Sequence, residues 1–198
     1  GFAILNTNTA GIFMTLGSTT ISNTQITNTA NNAITIDGAA TPELTNNVID
    51  GAQVGFFLSF RTVPTLSGNQ FLNCTKQVLI PAEQADKINF DNNSIHEIYL
   101  ANGLDVTSNT ILENTDWDYI MDGDVLVASG ATFTMNPGVV LEFPNNSHDL
   151  FIEGSLVANG TETDSIFFVG SNENANVHGG TIHLRNSSTS SQFNYVSF

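Results

Sequence analysis

The sequence predicts an all-β fold, a parallel β-solenoid of about nine coils of roughly 22–25 residues each. Three observations predict it. First, apolar residues recur at a spacing near 22: Ile4, Ile26, Ile49, Phe71, Ile95 and, after a shorter step, Ile111. Second, an apolar pair follows each marker, its members two residues apart, as a strand with one face on a core requires. The pairs are Ile12/Met14, Ile34/Ile36, Phe56/Leu58, Val78/Ile80, Ile98/Leu100 and Tyr119/Met121. Third, Thr24, Asn47, Asn69, Asn93 and Asn109 stand two residues before the markers. Asn tolerates left-handed backbone at turns, and stacked amides bond to one another down an axis. The i, i+3, i+4 runs that helical repeats need are missing.

Taken in order, residues 1 to about 20 make one coil and residues 21–105 four more. Pro42 and Pro64 each precede a strand start, where no ladder bond is lost. Pro81 to Lys87 reads as the longest insertion. Residues 106–124 are transitional and hold Glu113, Asp116, Asp118, Asp122 and Asp124. From Val125 the spacing becomes 25. Val125, Val127, Ala131, Phe133, Leu141 and Phe143 then map onto Leu150, Ile152, Leu156, Ala158, Ile166 and Phe168. The expected organisation is one domain over 1–198, with shorter coils over 1–124 and three-strand coils over 125–198. Loops at 81–87, 144–148 and 171–180 leave the regular pattern. Gly1 begins in mid-pattern and Phe198 ends in mid-strand, so a piece of a longer chain is expected.

Composition narrows the partners. The formal charge is −15, with four Lys and Arg against nineteen Asp and Glu. Such a chain repels nucleic acid and anionic polymers. Only 12% of residues are charged, so the surface must be mostly Asn, Thr, Ser and Gly, a composition at home in an extracellular β-rod. No apolar run is long enough for a membrane span. Cys74 is alone and cannot form an internal disulfide.

The stretches ASGATFTMNPGVVLEF (128–143) and LFIEGSLVANGTETDSIFFVG (150–170) resemble the right-handed parallel β-helix repeats of bacterial secreted and surface proteins, the pectin-lyase-like superfamily in its broad sense. PELTNNVIDGAQVGFFLS (42–59) resembles the shorter repeats of the same family. The resemblance implies the fold. Its members range from polysaccharide lyases and hydrolases to tailspikes and adhesins, so it does not choose an activity.

Asn114-Thr115-Asp116 is similar to an element of polygalacturonases, with Asp116, Asp118 and Asp122 as the catalytic carboxylates if the chain is an enzyme. The paired Asp-Asp, Gly-His-Gly and Arg-x-Lys that accompany that element in the family do not follow it here. Glu97, Glu113, Asp116 and Asp118 are the candidate ligands for a Ca²⁺ ion; no cofactor is required. Glu97 and Glu113 follow their markers by two residues and are expected to stack. Trp117 and Tyr99 are the candidate glycan-stacking aromatics, with Phe57 and Tyr195 also expected to face outward. The four His residues have no metal spacing. The preferred reading is a non-catalytic extracellular module of a bacterial surface or secreted protein: a rigid spacer, adhesin or carbohydrate-binding rod. Its partners would be a polysaccharide or cell-surface glycan, with end-to-end or neighbouring-domain contacts. The alternatives are a polysaccharide-degrading enzyme working at 113–124 and an ice-binding solenoid; no Thr row runs three coils at the expected spacing.

Overall fold

The computed structural model describes residues 2–8, 11–59, 61–144, 147–170, 180–185 and 190–198. Most of the 171–180 loop and the tip of 144–148 lie outside the described residues. The chain divides into two compact units, Gly1–Ile80 with Lys87–Ile98 and Pro81–Asp86 with Tyr99–Phe198.

In the first unit the strands are β1 (Phe2–Leu5), β2 (Ile12–Met14), β3 (Thr20–Ser22), β4 (Thr24–Thr27), β5 (Asn32–Ile36), β6 (Glu43–Thr45), β7 (Val48–Asp50), β8 (Val54–Leu58), β9 (Thr65–Ser67), β10 (Gln70–Leu72) and β11 (Lys76–Pro81). Every third strand pairs in parallel. The three ladders run β1-β4-β7-β10, β2-β5-β8-β11 and β3-β6-β9. Strand β12 (Glu97–Ala101) carries the chain from the first unit into the second. There follow β13 (Thr110–Leu112), β14 (Asp118–Asp122), β15 (Val125–Val127), β16 (Thr132–Met135), β17 (Val140–Phe143), β18 (Leu150–Ile152), β19 (Ser155–Asn159), β20 (Ile166–Gly170), β21 (Ile182–Leu184), β22 (Gln192–Asn194) and β23 (Val196–Ser197). Their ladders are β13-β16-β19-β22, β14-β17-β20-β23 and β15-β18-β21. Each unit thus holds three complete turns and the start of a fourth. The described chain makes about seven turns where length and period suggested about nine. Turns lengthened by insertions account for the difference.

The expected column exists. Ile4 pairs with Ile26, Ile26 with Ile49, and Ile49 with Phe71. Ile26, Ile49 and Phe71 are buried. The second column is Ile12, Ile34, Phe56, Val78. The chain can turn so tightly because single left-handed residues sit at the corners. One corner stacks Asn6 (φ 54°), Asn28 (53°), Gly51 (71°) and Asn73 (49°); the other stacks Asn23 (52°), Asn46 (54°), Gly68 (67°) and Asn92 (59°). Asn and Gly are the residues that bear this conformation at low cost. Gly55 answers a different need. A Cβ there would lie 2.6 Å from the Phe71 ring and 2.5 Å from the Gln77 carbonyl oxygen.

Inside, the asparagine ladder forms. Asn47 Oδ1 accepts from Thr24 N, Asn69 Oδ1 from Asn47 N and Nδ2, and Asn93 Oδ1 from Asn69 N and Nδ2. Asn109 does not extend it; its Oδ1 accepts from Thr132 N in the second unit.

Three expectations about register are corrected. Ile111 is not a core marker: it is 37% exposed, while Thr110 and Leu112 point inward. Val125 and Val127 do pair with Leu150 and Ile152. However, Leu156 pairs with Phe133, not Ala131, and Ala158 with Met135, not Phe133. Phe168 likewise pairs with Leu141, and Phe143 with Gly170. Both slips are of two residues, which leaves the same side chains facing the core and is invisible to an alternation pattern.

Candidate functional site

The acidic stretch is spread along a turn and one face of the strand that follows it. Asp116 and Asp118 are exposed and Asp122 is half-buried. On β14, Tyr119 and Met121 point inward, so Asp118 and Asp122 share the outer face with Ile120 between them. Four residues of strand separate them by about 13 Å, more than the ~6.5–9.5 Å an inverting carboxyl pair spans. Burial pushes the Tyr119 phenol above its ordinary range. Glu97 opens β12 in the first unit, whereas Glu113 follows β13 in the second, so they are not equivalent rungs. The rung next to Glu113 is Asn136, whose Nδ2 donates to Glu113 Oε2 at 2.6 Å. Among the described residues, no three His, Cys, Asp or Glu side chains lie close enough together to hold a metal ion, so Glu97, Glu113, Asp116 and Asp118 are not gathered into one site. Tyr99 and Trp117 are both half-buried.

The 81–87 insertion is fastened down. Glu83, in a short 3-10 turn, is only 6% exposed. Its carboxylate accepts from Thr107 N and Oγ1, both at 3.0 Å, and from Ser108 Oγ at 2.5 Å. Three donors offset the cost of burying that charge. Cys74 is half-buried, its thiol donates to the Leu72 carbonyl, and burial pushes its pKa up.

In the second unit a cavity of about 610 Å³ is lined by Phe143, Phe168, Ile182, Leu184, Phe193 and Phe198, among others. Among the described residues that line it, no side chain is titratable. On the outer face of β18 and β21 a network joins His183, Asp149, Phe151, Arg185 and Glu153. His183 Nε2 meets Asp149 Oδ2 at 3.0 Å, its ring stacks on Phe151 at 4.7 Å, and Arg185 pairs with Glu153 at 2.6 Å while lying 4.4 Å over the Phe151 ring. Phe151 and His183 are register partners 32 residues apart, not 25, which is why a fixed period did not align them.

The outer face of the β2-β5-β8-β11 ladder carries two aromatic rings aligned with the turns. Alternation points Ile12, Ile34, Phe56 and Val78 inward, the last three fully buried and Ile12 half-buried, and their neighbours outward. Phe13 pairs with Thr35, Thr35 with Phe57, and Phe57 with Leu79. Phe13 is 59% exposed, Phe57 is half-buried, and Thr35 between them is only 4% exposed. Two residues further along the same strands a polar row runs beside the aromatic one. Ser59 Oγ donates to Asp37 Oδ1, and Gly38 N donates to the same oxygen at 2.7 Å. These two bonds, Ser59 first, hold the Asp37 carboxyl below the usual carboxylate range.

That shift has a sign. A depressed folded-state pKa adds stability above the unfolded value, lost as pH falls through the folded one. Ser59→Ala should therefore lower the melting temperature slightly at neutral pH. The gap to the parent should close as pH drops below the ordinary carboxylate range, which a melting series between neutral and strongly acidic pH would reveal.

Phe57 was among the outward aromatics expected from the sequence. Phe13 was missed because its coil gave no reason to prefer it until the register placed it two rungs from Phe57. No match is found among curated proteins, and none among solved structures. The family model described as the right-handed beta helix region matches residues 10–184. With the parallel ladders and the stacked columns, that match places the chain in the right-handed β-helix family.

Proposed function

We propose that the chain is a non-catalytic, extracellular β-helix module of a bacterial surface or secreted protein, and that it binds a polysaccharide on the outer face of the β2-β5-β8-β11 ladder. The observation that carries the reading is the row of Phe13 and Phe57, held on a rigid ladder with Asp37 and Ser59 beside it. Sugar rings stack their C–H faces on such rings, and planar polar groups next to them take the hydroxyls. The low fraction of charged residues and the stacked Asn, Thr and Gly turns agree with an extracellular rod.

Affinity electrophoresis through gels containing different polysaccharides tests this. The parent chain should be retarded by at least one of them, and Phe57→Ala should be retarded markedly less. The competing reading is a polysaccharide-degrading enzyme using Asp116, Asp118 and Asp122. New reducing ends or unsaturated products that vanish in Asp116→Ala would replace the binding reading with that one.

A further inference from the structure

We infer that the glycan held on the Phe13–Phe57 row is neutral, extended and built of equatorially linked pyranoses, the β-1,4-linked class, lying along the direction in which the turns stack. This rests on the glycan-binding reading above and adds the kind of polymer.

Spacing is the first ground. Phe13 and Phe57 are two register steps apart, with Thr35 as the rung between. Two strand spacings make about 9.6 Å. The row therefore offers a ring at every second turn and a small side chain in between. In an extended β-1,4 chain each pyranose is turned over relative to the last. The same C–H face comes round at every second sugar, close to that two-rung distance. An α-1,4 chain curls away from a straight row and cannot keep the repeat.

Charge is the second ground. The formal charge of the chain is −15, and the Asp37 carboxylate stands beside the row. A uronate polymer would meet repulsion along its length. Neutral hydroxyls would not, and they can donate to Asp37 Oδ2, the oxygen left over by the Ser59 and Gly38 bonds.

The third ground is rigidity. Both rings sit on paired strands: Ile34, Phe56 and Val78 are buried, and half-buried Ile12 stacks on Ile34, so their separation is set by the ladder and not by loops.

Titration calorimetry on the whole 1–198 chain tests the inference with cellohexaose, mannohexaose, cellobiose, maltohexaose and an α-1,4 oligogalacturonate. A β-1,4 hexamer should bind at least tenfold tighter than cellobiose and tighter than maltohexaose or the uronate. Phe13→Ala and Phe57→Ala should each weaken it roughly tenfold, and circular dichroism should show both variants folded, because neither ring is in the core. Tightest binding to maltohexaose or oligogalacturonate, still lost in Phe57→Ala, would overturn the inference and leave the glycan-binding reading standing. Equal affinity for two and six sugars would also overturn it, because a single ring would then suffice. No binding of any glycan here or in the gels would remove both.

Discussion

Asn69→Ala should destabilise the first unit by roughly 2–6 kcal/mol, read as a shift in urea midpoint at constant slope. Asn69 is fully buried. Its Oδ1 accepts from Asn47 N at 3.1 Å and Nδ2 at 3.0 Å, and its Nδ2 donates to the Leu44 carbonyl at 2.8 Å and to Asn93 Oδ1 at 2.8 Å. Alanine leaves the Asn47 amide and the Leu44 carbonyl without these partners in a place water does not reach. Each such orphan costs about 1–3 kcal/mol. Gln25→Ala, an exposed position on β4, should stay within about 0.5 kcal/mol. If Asn69→Ala behaves like Gln25→Ala, the ladder is decoration and the stacked columns alone hold the turns.

Phe56→Ala should cost about 3–5 kcal/mol, and its neighbour Phe57→Ala much less. Phe56 has no exposed surface, sits in the column Ile34–Phe56–Val78, and meets Phe71 edge-on at 4.8 Å. Truncation removes that contact and leaves a cavity the stacked strands cannot close. Phe57 faces the other way. The pair separates stability from binding: thermal melts should fall steeply for Phe56→Ala, while glycan affinity should fall for Phe57→Ala with the fold intact. Equal losses of stability at both positions would show that the outer row is packed like core.

How legible this was depended on which residues carried the signal. Ile26, Ile49 and Phe71 announced the column because a buried rung must be apolar in every turn. Asn47, Asn69 and Asn93 announced the ladder because few side chains can bond both up and down an axis. Ile111 misled because it too is apolar, yet Thr110 and Leu112 are the inward pair; a three-residue strand leaves one-residue phase undecided. Phe133 and Leu141 were assigned partners two residues off because alternation is blind to even slips. On the functional side, Asp116, Asp118 and Asp122 drew notice as a dense run, but strand geometry spreads Asp118 and Asp122 along one face. Phe13 and the His183–Phe151 stack were silent in the sequence, since only register makes them neighbours.

By itself the sequence determined that short parallel strands stack with their apolar residues in file, because repetition of buried positions is a property of composition and spacing. Only the tertiary structure decided which outward side chains stand side by side. Exposed positions are under no burial constraint that repeats, so their adjacency comes from the lengths of the turns between strands, and those lengths become distances only when the ladders close.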